Sequence, residues 1–343
     1  MQTNSYLKAG IFSLGLVLSF VIAWECYWRS QGFEISYNDD ESLWAHTRKQ
    51  IYESSPSRPV VIGSSRIKFD LDIPTWESIS GKKPIQLAME GTTPRPVLSD
   101  LANDTTFKGT VLVGVVEVLF FAPDHSPFEI QANKKLAAYP KWSLSQQFSF
   151  LLNNFLESKL IFLQESTFSL GSLLKRLPIE SRPGVFVFPN FHLKFSYVHP
   201  DRQNTLTPDL VKDPLIQEQV QGVWKKLIFT AKPGVGGDTL TGIIQSVKAS
   251  VDKIKARGGQ VVFIREPSNG PYLEVEKKLF PRDAYWDRLL KDTQCVGIHF
   301  EDYPALSKYT CPEWSHLSQQ DAVTFTQDLV PILEEKAGWK IKN

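Results

Sequence analysis

Residues 58–66 read Arg-Pro-Val-Val-Ile-Gly-Ser-Ser-Arg. A short β-branched run that stops at a glycine has the pattern of a strand buried on both faces of a parallel sheet. Four similar runs follow, at 84–89, 110–118, 260–265 and 297–302. Helical periods lie between several of them. Residues 243–257 put Ile244, Val247, Val251 and Ile254 on one face, and Gly258-Gly259 ends the helix. The last helix is expected to start at Ser318, where Ser-Gln-Gln-Asp321 has the form of a capping box, with Ala322, Phe325, Leu329 and Leu333 on its apolar face. Strand and helix in alternation predict an α/β chain built on a doubly wound parallel sheet of flavodoxin-like type, in which ligands collect at the carboxyl ends of the strands.

The chain has 343 residues, 38 basic against 37 acidic, and 42% apolar side chains. This composition excludes global disorder, and the near-zero net charge argues against a nucleic-acid binder. With three cysteines and no Cys/His cluster, neither a disulfide scaffold nor a metal site is expected, and no cofactor is called for. A Cys295–Cys311 bridge stays open for an exported chain.

Residues 9–24 carry no charge, and extension to Tyr6 and Trp28 gives the length of a membrane span, with Glu25 near one end. Trp24, Tyr27 and Trp28 would form an interfacial aromatic belt. An uncleaved anchor over 1–32 is the expected reading, and a cleaved signal or a buried helix are its rivals. The remainder, 33–343, reads as the α/β domain. Residues 122–258 are too long for a plain crossover and read as an insertion, with helical pieces near 143–156 and 217–229. Within it, Gly234-Val-Gly-Gly-Asp238 lacks the Lys-Ser/Thr ending of a phosphate loop and reads as an ordinary loop.

The chemistry concentrates at two places. Gly63-Ser64-Ser65-Arg66 ends the first strand, where a strand-to-helix turn can expose a hydroxyl. Glu313-Trp-Ser-His316 precedes the capping serine of the last helix. An acid three residues before a histidine can reach Nδ1 and leave Nε2 free to take a serine proton. Their order resembles the SGNH/GDSL hydrolase superfamily, whose first block carries the serine and whose last block is Asp-x-x-His. The resemblance covers about 58–122 and 258–335. It implies Ser65 as nucleophile, with Ser64 the competitor, and Glu313 and His316 as its partners, glutamate standing where aspartate is usual. Gly91, after the second strand, fits the family's glycine amide donor.

The family's Gly-x-Asn block is replaced by Gly114-Val-Val-Glu117, and a carboxylate donates no hydrogen bond unless protonated. Arg265, at the end of the fourth strand, could replace that donor or pair with Glu117; pairing is the expected arrangement, because a partly buried carboxylate needs a partner. Arg66 completes the oxyanion and substrate-binding candidates. Phe280, Tyr285 and Trp286 either line a sugar groove or pack as core. His125 and His299 are weaker candidates for a base. The anchor and the Gly-Ser-Ser-Arg form look like membrane-anchored SGNH-like proteins that work beside membrane-bound O-acyltransferases. That resemblance implies an extracytoplasmic domain (periplasmic or cell-surface), a membrane O-acyltransferase as partner, and acyl transfer or ester hydrolysis on a cell-envelope polysaccharide. A non-catalytic glycan-binding or scaffold module is the alternative.

Overall fold

The computed structural model describes residues 2–53, 58–177, 189–228 and 233–339. The stretch Ser-Ser-Pro-Ser at 54–57, whose composition is that of a turn, lies outside them. By packing the chain divides into two units, residues 1–38 with 148–187, and residues 39–147 with 188–343.

The larger unit is α/β. Its strands are β1 (Val60–Ile62), β2 (Ile85–Gln86), β3 (Thr110–Gly114), β4 (Ser196–Val198), β5 (Asn204–Leu206), β6 (Gln260–Arg265) and β7 (Val296–His299). Five form one parallel sheet in the order β2-β1-β3-β6-β7, and β4 and β5 make a separate antiparallel pair. Side chains alternate across the sheet. Val60, Ile62, Val111, Val113, Val261 and Phe263 face one core with the helices Arg95–Asn103 and Gly237–Ala256. Val61, Leu112, Val262 and Ile264 face a second core with Trp76, Phe325 and Leu329. Each such side chain contributes roughly 1.5–3 kcal/mol relative to leaving it in water.

The last helix runs Gln319–Ala337, and the Ser318 hydroxyl accepts from Asp321 N at 3.1 Å, as the capping-box spacing predicts. Three expected strands are shorter than the stretches that suggested them, and the stretch 84–89 is a strand only at Ile85–Gln86. The run 110–118 leaves the sheet at Gly114, and Glu117 opens a short helix, Glu117–Phe120. The run 297–302 turns into a 3₁₀ segment after His299. A continuous apolar run satisfies a buried strand and a buried helix alike, so hydrophobicity alone could not place the end at Gly114. Cys295 and Cys311 are free thiols belonging to the two different cores, on opposite faces of the sheet, so the bridge left open above is not formed. Phe280, Tyr285 and Trp286 are buried in the first core and do not line a groove. The glycine-rich stretch at 234 leads into the helix Gly237–Ala256.

In the smaller unit the helix Gln2–Ser30 contains one segment, Ser5–Ser30, long and apolar enough to cross a membrane. Its carboxyl end is tied to the 148–187 segment. Glu25 accepts from the amides of Ile161 and Phe162, and Arg29 donates to Lys159 O at 2.9 Å. Trp28 packs on Phe168.

Candidate active site

The six-residue helix Ser65–Asp70 follows β1 directly and organises the site. It lies close against the strand ends. A Cβ on Gly63 would come within 2.5 Å of Ile67 Cγ2, and one on Gly114 would meet Glu266 Oε1 at 2.5 Å. Only glycine permits this approach at the ends of β1 and β3. Met89 N donates to Gly63 O at 3.1 Å, which brings the Glu90-Gly91 turn alongside the serine turn.

Ser65 is partly exposed, and its hydroxyl lies 2.9 Å from His316 Nε2. His316 Nδ1 is 3.0 Å from Glu313 Oε1. The same oxygen accepts from His316 N at 2.5 Å and Ser315 N at 3.2 Å, while Trp224 Nε1 donates to the other carboxylate oxygen. A carboxylate surrounded by donors assigns the proton to Nδ1 and leaves Nε2 as an acceptor for the Ser65 hydroxyl. Trp314 holds a left-handed backbone, φ 81, between the acid and the histidine. That conformation costs on the order of 1–3 kcal/mol in a non-glycine residue and folds the loop back on Glu313. Ser64 differs from Ser65 in every respect that matters here. It is buried, and its hydroxyl has no hydrogen-bond partner.

The serine helix grips the histidine loop on both sides of His316. Arg66 is fully buried, donates to Ser315 O at 3.1 Å and Ser315 Oγ at 3.3 Å, and pairs with Glu276 at 3.0 Å. Asp70 accepts from Leu317 N at 2.9 Å. Phe69 packs on the imidazole, ring centroids 4.3 Å apart. Arg66 was expected among the substrate-binding candidates; with no exposed surface it instead holds the loop. On the other side of the same helix, Lys68 is buried and bonds Asp39 at 2.7 Å and Glu90 at 3.0 Å. Asn204 also donates to Glu90 at 2.7 Å. Arg202 pairs with Asp39 and donates to the carbonyls of Gln86, on the edge strand, and Ala88, just beyond it. Burial works against the Asp39 carboxylate, but Arg202, Lys68 and Lys135 hold its pKa far below the usual range. The turn containing Gly91, which itself has a positive φ of 62, is thus pinned through its neighbour Glu90.

Behind the triad lies a buried ionic cluster. Arg265 Nε donates to Glu117 Oε1 at 2.8 Å, and Nη2 donates to Glu276 at 2.5 Å and Ser268 at 3.0 Å. Arg265 and Glu117 are therefore partners, but Arg265 is shared. Glu276 has two arginines and a serine, and its carboxyl is lowered: burial is outweighed by Arg265 and Arg66. Glu117 keeps one buried oxygen without a partner, and burial raises it despite Arg265. Glu266 is fully buried with neither carboxyl oxygen bonded, and burial pushes its pKa up to about 8. His299 is drawn down to about 3 by burial and the nearby arginines, and its ring packs against Trp286 and Phe300. His125 sits in an exposed loop.

Glu266 has a consequence for stability. Its folded pKa of about 8 lies above the ordinary 4.5. Between these values the unfolded chain has lost the proton and the folded chain keeps it. Stability is therefore highest below about pH 4.5 on account of this group and falls as pH rises towards 8, by an amount on the order of 4–5 kcal/mol. Asp70, also raised by burial, acts in the same direction. Glu266→Gln should flatten the pH dependence of the unfolding midpoint between pH 5 and 8; an unchanged slope would show that the carboxyl is not protonated in the fold.

Sequence reasoning did not identify Trp224, Asp70, Lys68, Asp39, Arg202 or Glu276. The only local signal was three charged residues, Arg66, Lys68 and Asp70, in one six-residue helix directly after a buried strand. Among the described residues no group of acidic, histidine and cysteine side chains is placed to hold a metal. Comparison with protein-family models and with curated proteins finds no match to the chain.

Proposed function

We propose that this protein is a membrane-anchored, serine-dependent acyltransferase or esterase of SGNH type, acting on an acylated cell-envelope glycan. The observation that carries the proposal is the continuous chain Ser65 Oγ, His316 Nε2, His316 Nδ1, Glu313 Oε1, with links of 2.9 and 3.0 Å. The strand order β2-β1-β3-β6-β7, with helices on both faces, supports the flavodoxin-like, doubly wound reading, with the serine at the carboxyl end of the first strand. The helices and the β4–β5 pair between β3 and β6 then count as the insertion.

On this reading Ser65 attacks the acyl carbonyl carbon and its proton passes to His316 Nε2. The proton then goes to the departing alkoxide as the ester bond breaks. A sugar hydroxyl or water, deprotonated by the same nitrogen, releases the acyl group from Ser65. The Ser65 and Gly91 amides face the developing oxyanion, each donor contributing about 3–4 kcal/mol in such sites. Glu313 orients the imidazole and stabilises its charged form. The catalytic domain lies outside the cytoplasm, beside a membrane-bound O-acyltransferase that supplies or receives the acyl group.

Glu117 favours a second reading. Counted from Gly114, the asparagine of Gly-x-Asn falls at Val116, next to the arginine-bound carboxyl of Glu117, and a non-catalytic glycan-binding module would tolerate the loss of that donor. Turnover of an aryl acetate by the full-length protein, with and without a glycan acceptor, separates the readings. The acyl-transfer reading expects acetyl release that shifts to acetylated glycan as acceptor is added. A protein that binds glycan without releasing acetate would be the module.

A further inference from the structure

The helix Leu144–Glu157 carries an apolar face that is left exposed among the described residues. Phe148, Leu151, Leu152 and Phe155 recur at the helical spacing i, i+3, i+4 and i+7, and are 56–72% exposed. In the same unit Leu170, Leu174 and Leu177 are also more than half exposed. Contiguous apolar surface of this kind marks an interaction site.

Its position in the smaller unit identifies the occupant. Residues 159–168 are bound to the carboxyl end of the apolar helix through Glu25, Arg29 and Trp28, and Glu157 receives both the amide and the side chain of Asn38. From Leu7 to Trp24 that helix rises about 27 Å at roughly 1.5 Å per residue, close to the thickness of a bilayer core. Trp24, Tyr27 and Trp28, packed on one another, then stand at the headgroup level. Everything fastened to Glu25 and Arg29 is held at that same depth. The face itself is leucine and phenylalanine, and the rest of the helix is mainly Ser, Gln and Asn, with Glu157 its one charge. Such a face has no charge with which to choose a charged protein partner or an anionic headgroup. It matches the boundary between headgroups and acyl chains.

We infer that the face of Phe148, Leu151, Leu152 and Phe155 inserts into the leaflet from which the carboxyl end of the apolar helix emerges, so that the protein lies on the membrane as well as crossing it. This rests on the reading of Ser5–Ser30 as a span. Such seating presents the chain to substrates at the membrane surface rather than on a free tether.

The test uses the full chain in phosphatidylcholine vesicles. In a Cys26→Ser/Cys295→Ser background, Leu152→Cys or Phe155→Cys is labelled with an environment-sensitive nitrobenzoxadiazole dye, with Asn153→Cys as the off-face control. Carbonate extraction reports separately whether the amino-terminal helix is integrated. The inference expects blue-shifted emission at 152 and 155, quenched by nitroxide lipids labelled near the headgroup, and water-like emission at 153. Integration with water-like emission at 152 and 155 overturns the inference and leaves the span standing. Burial of these dyes only when a membrane protein is co-reconstituted assigns the face to a protein and overturns it equally. Release by carbonate removes the span and the inference together.

Discussion

Replacing Ser65 with alanine is expected to lower acetyl-ester turnover by on the order of 10⁴-fold or more, with the unfolding midpoint nearly unchanged. The size of the loss follows from covalent catalysis, because removing the nucleophile of such a triad removes nearly all the acceleration that the acid, base and nucleophile produce as a unit. The fold should tolerate the change, since Ser65 is partly exposed and, among the described residues, its hydroxyl bonds only His316. His316→Ala should cost a similar factor and should not add to Ser65→Ala in the double variant. Ser64→Ala is the control. Its hydroxyl is buried without a partner, so activity should stay near wild type. Retained turnover in Ser65→Ala with loss in Ser64→Ala would place the nucleophile one residue earlier.

Arg66→Met should be the most damaging substitution away from the reacting atoms. Arg66 joins two structures by its planar fork, the Ser315 backbone and side chain on one side and Glu276 on the other. Removing it leaves Glu276 to Arg265 and Ser268 alone and frees the loop beside His316. Breaking a buried ion pair by deleting one partner costs about 3–5 kcal/mol. Arg66→Lys retains the charge but cannot span both contacts, so it should recover stability more than turnover. The informative measurement is kcat against KM in both variants, alongside the unfolding midpoint. A positioning role predicts a fall in kcat with KM nearly constant in Arg66→Lys. If kcat follows stability in proportion, Arg66 is structural only.

The sheet was readable because its three central strands β1, β3 and β6 are short, rich in β-branched residues and closed by Gly63, Gly114 and Arg265. The end at 114 was not, since the apolar run continues past the last ladder bond into a short helix, and at 299 Phe300 stays buried while Glu301 and Asp302 turn outward in a 3₁₀ segment. Glu313 and His316 could be paired on paper, because three residues of chain fix how far apart they can be. Their setting could not. Trp224 reaches Glu313 from a helix 89 residues earlier, and Asp39 meets Lys68 and Arg202 across 29 and 163 residues. A charged side chain in sequence carries no mark of burial, since whether Arg66 or Lys68 can leave water depends on partners that only the tertiary fold supplies. For the same reason Arg66 was expected to face substrate and instead faces the loop.

The most direct test of the central claim is to treat the full-length protein with a fluorophosphonate and map the adduct by peptide mass spectrometry. An activated serine predicts one phosphonylated residue, Ser65, formed in wild type and absent from His316→Ala at equal concentration. A folded wild-type protein that takes up no probe, or takes it up at Ser64 or equally in His316→Ala, would contradict the account.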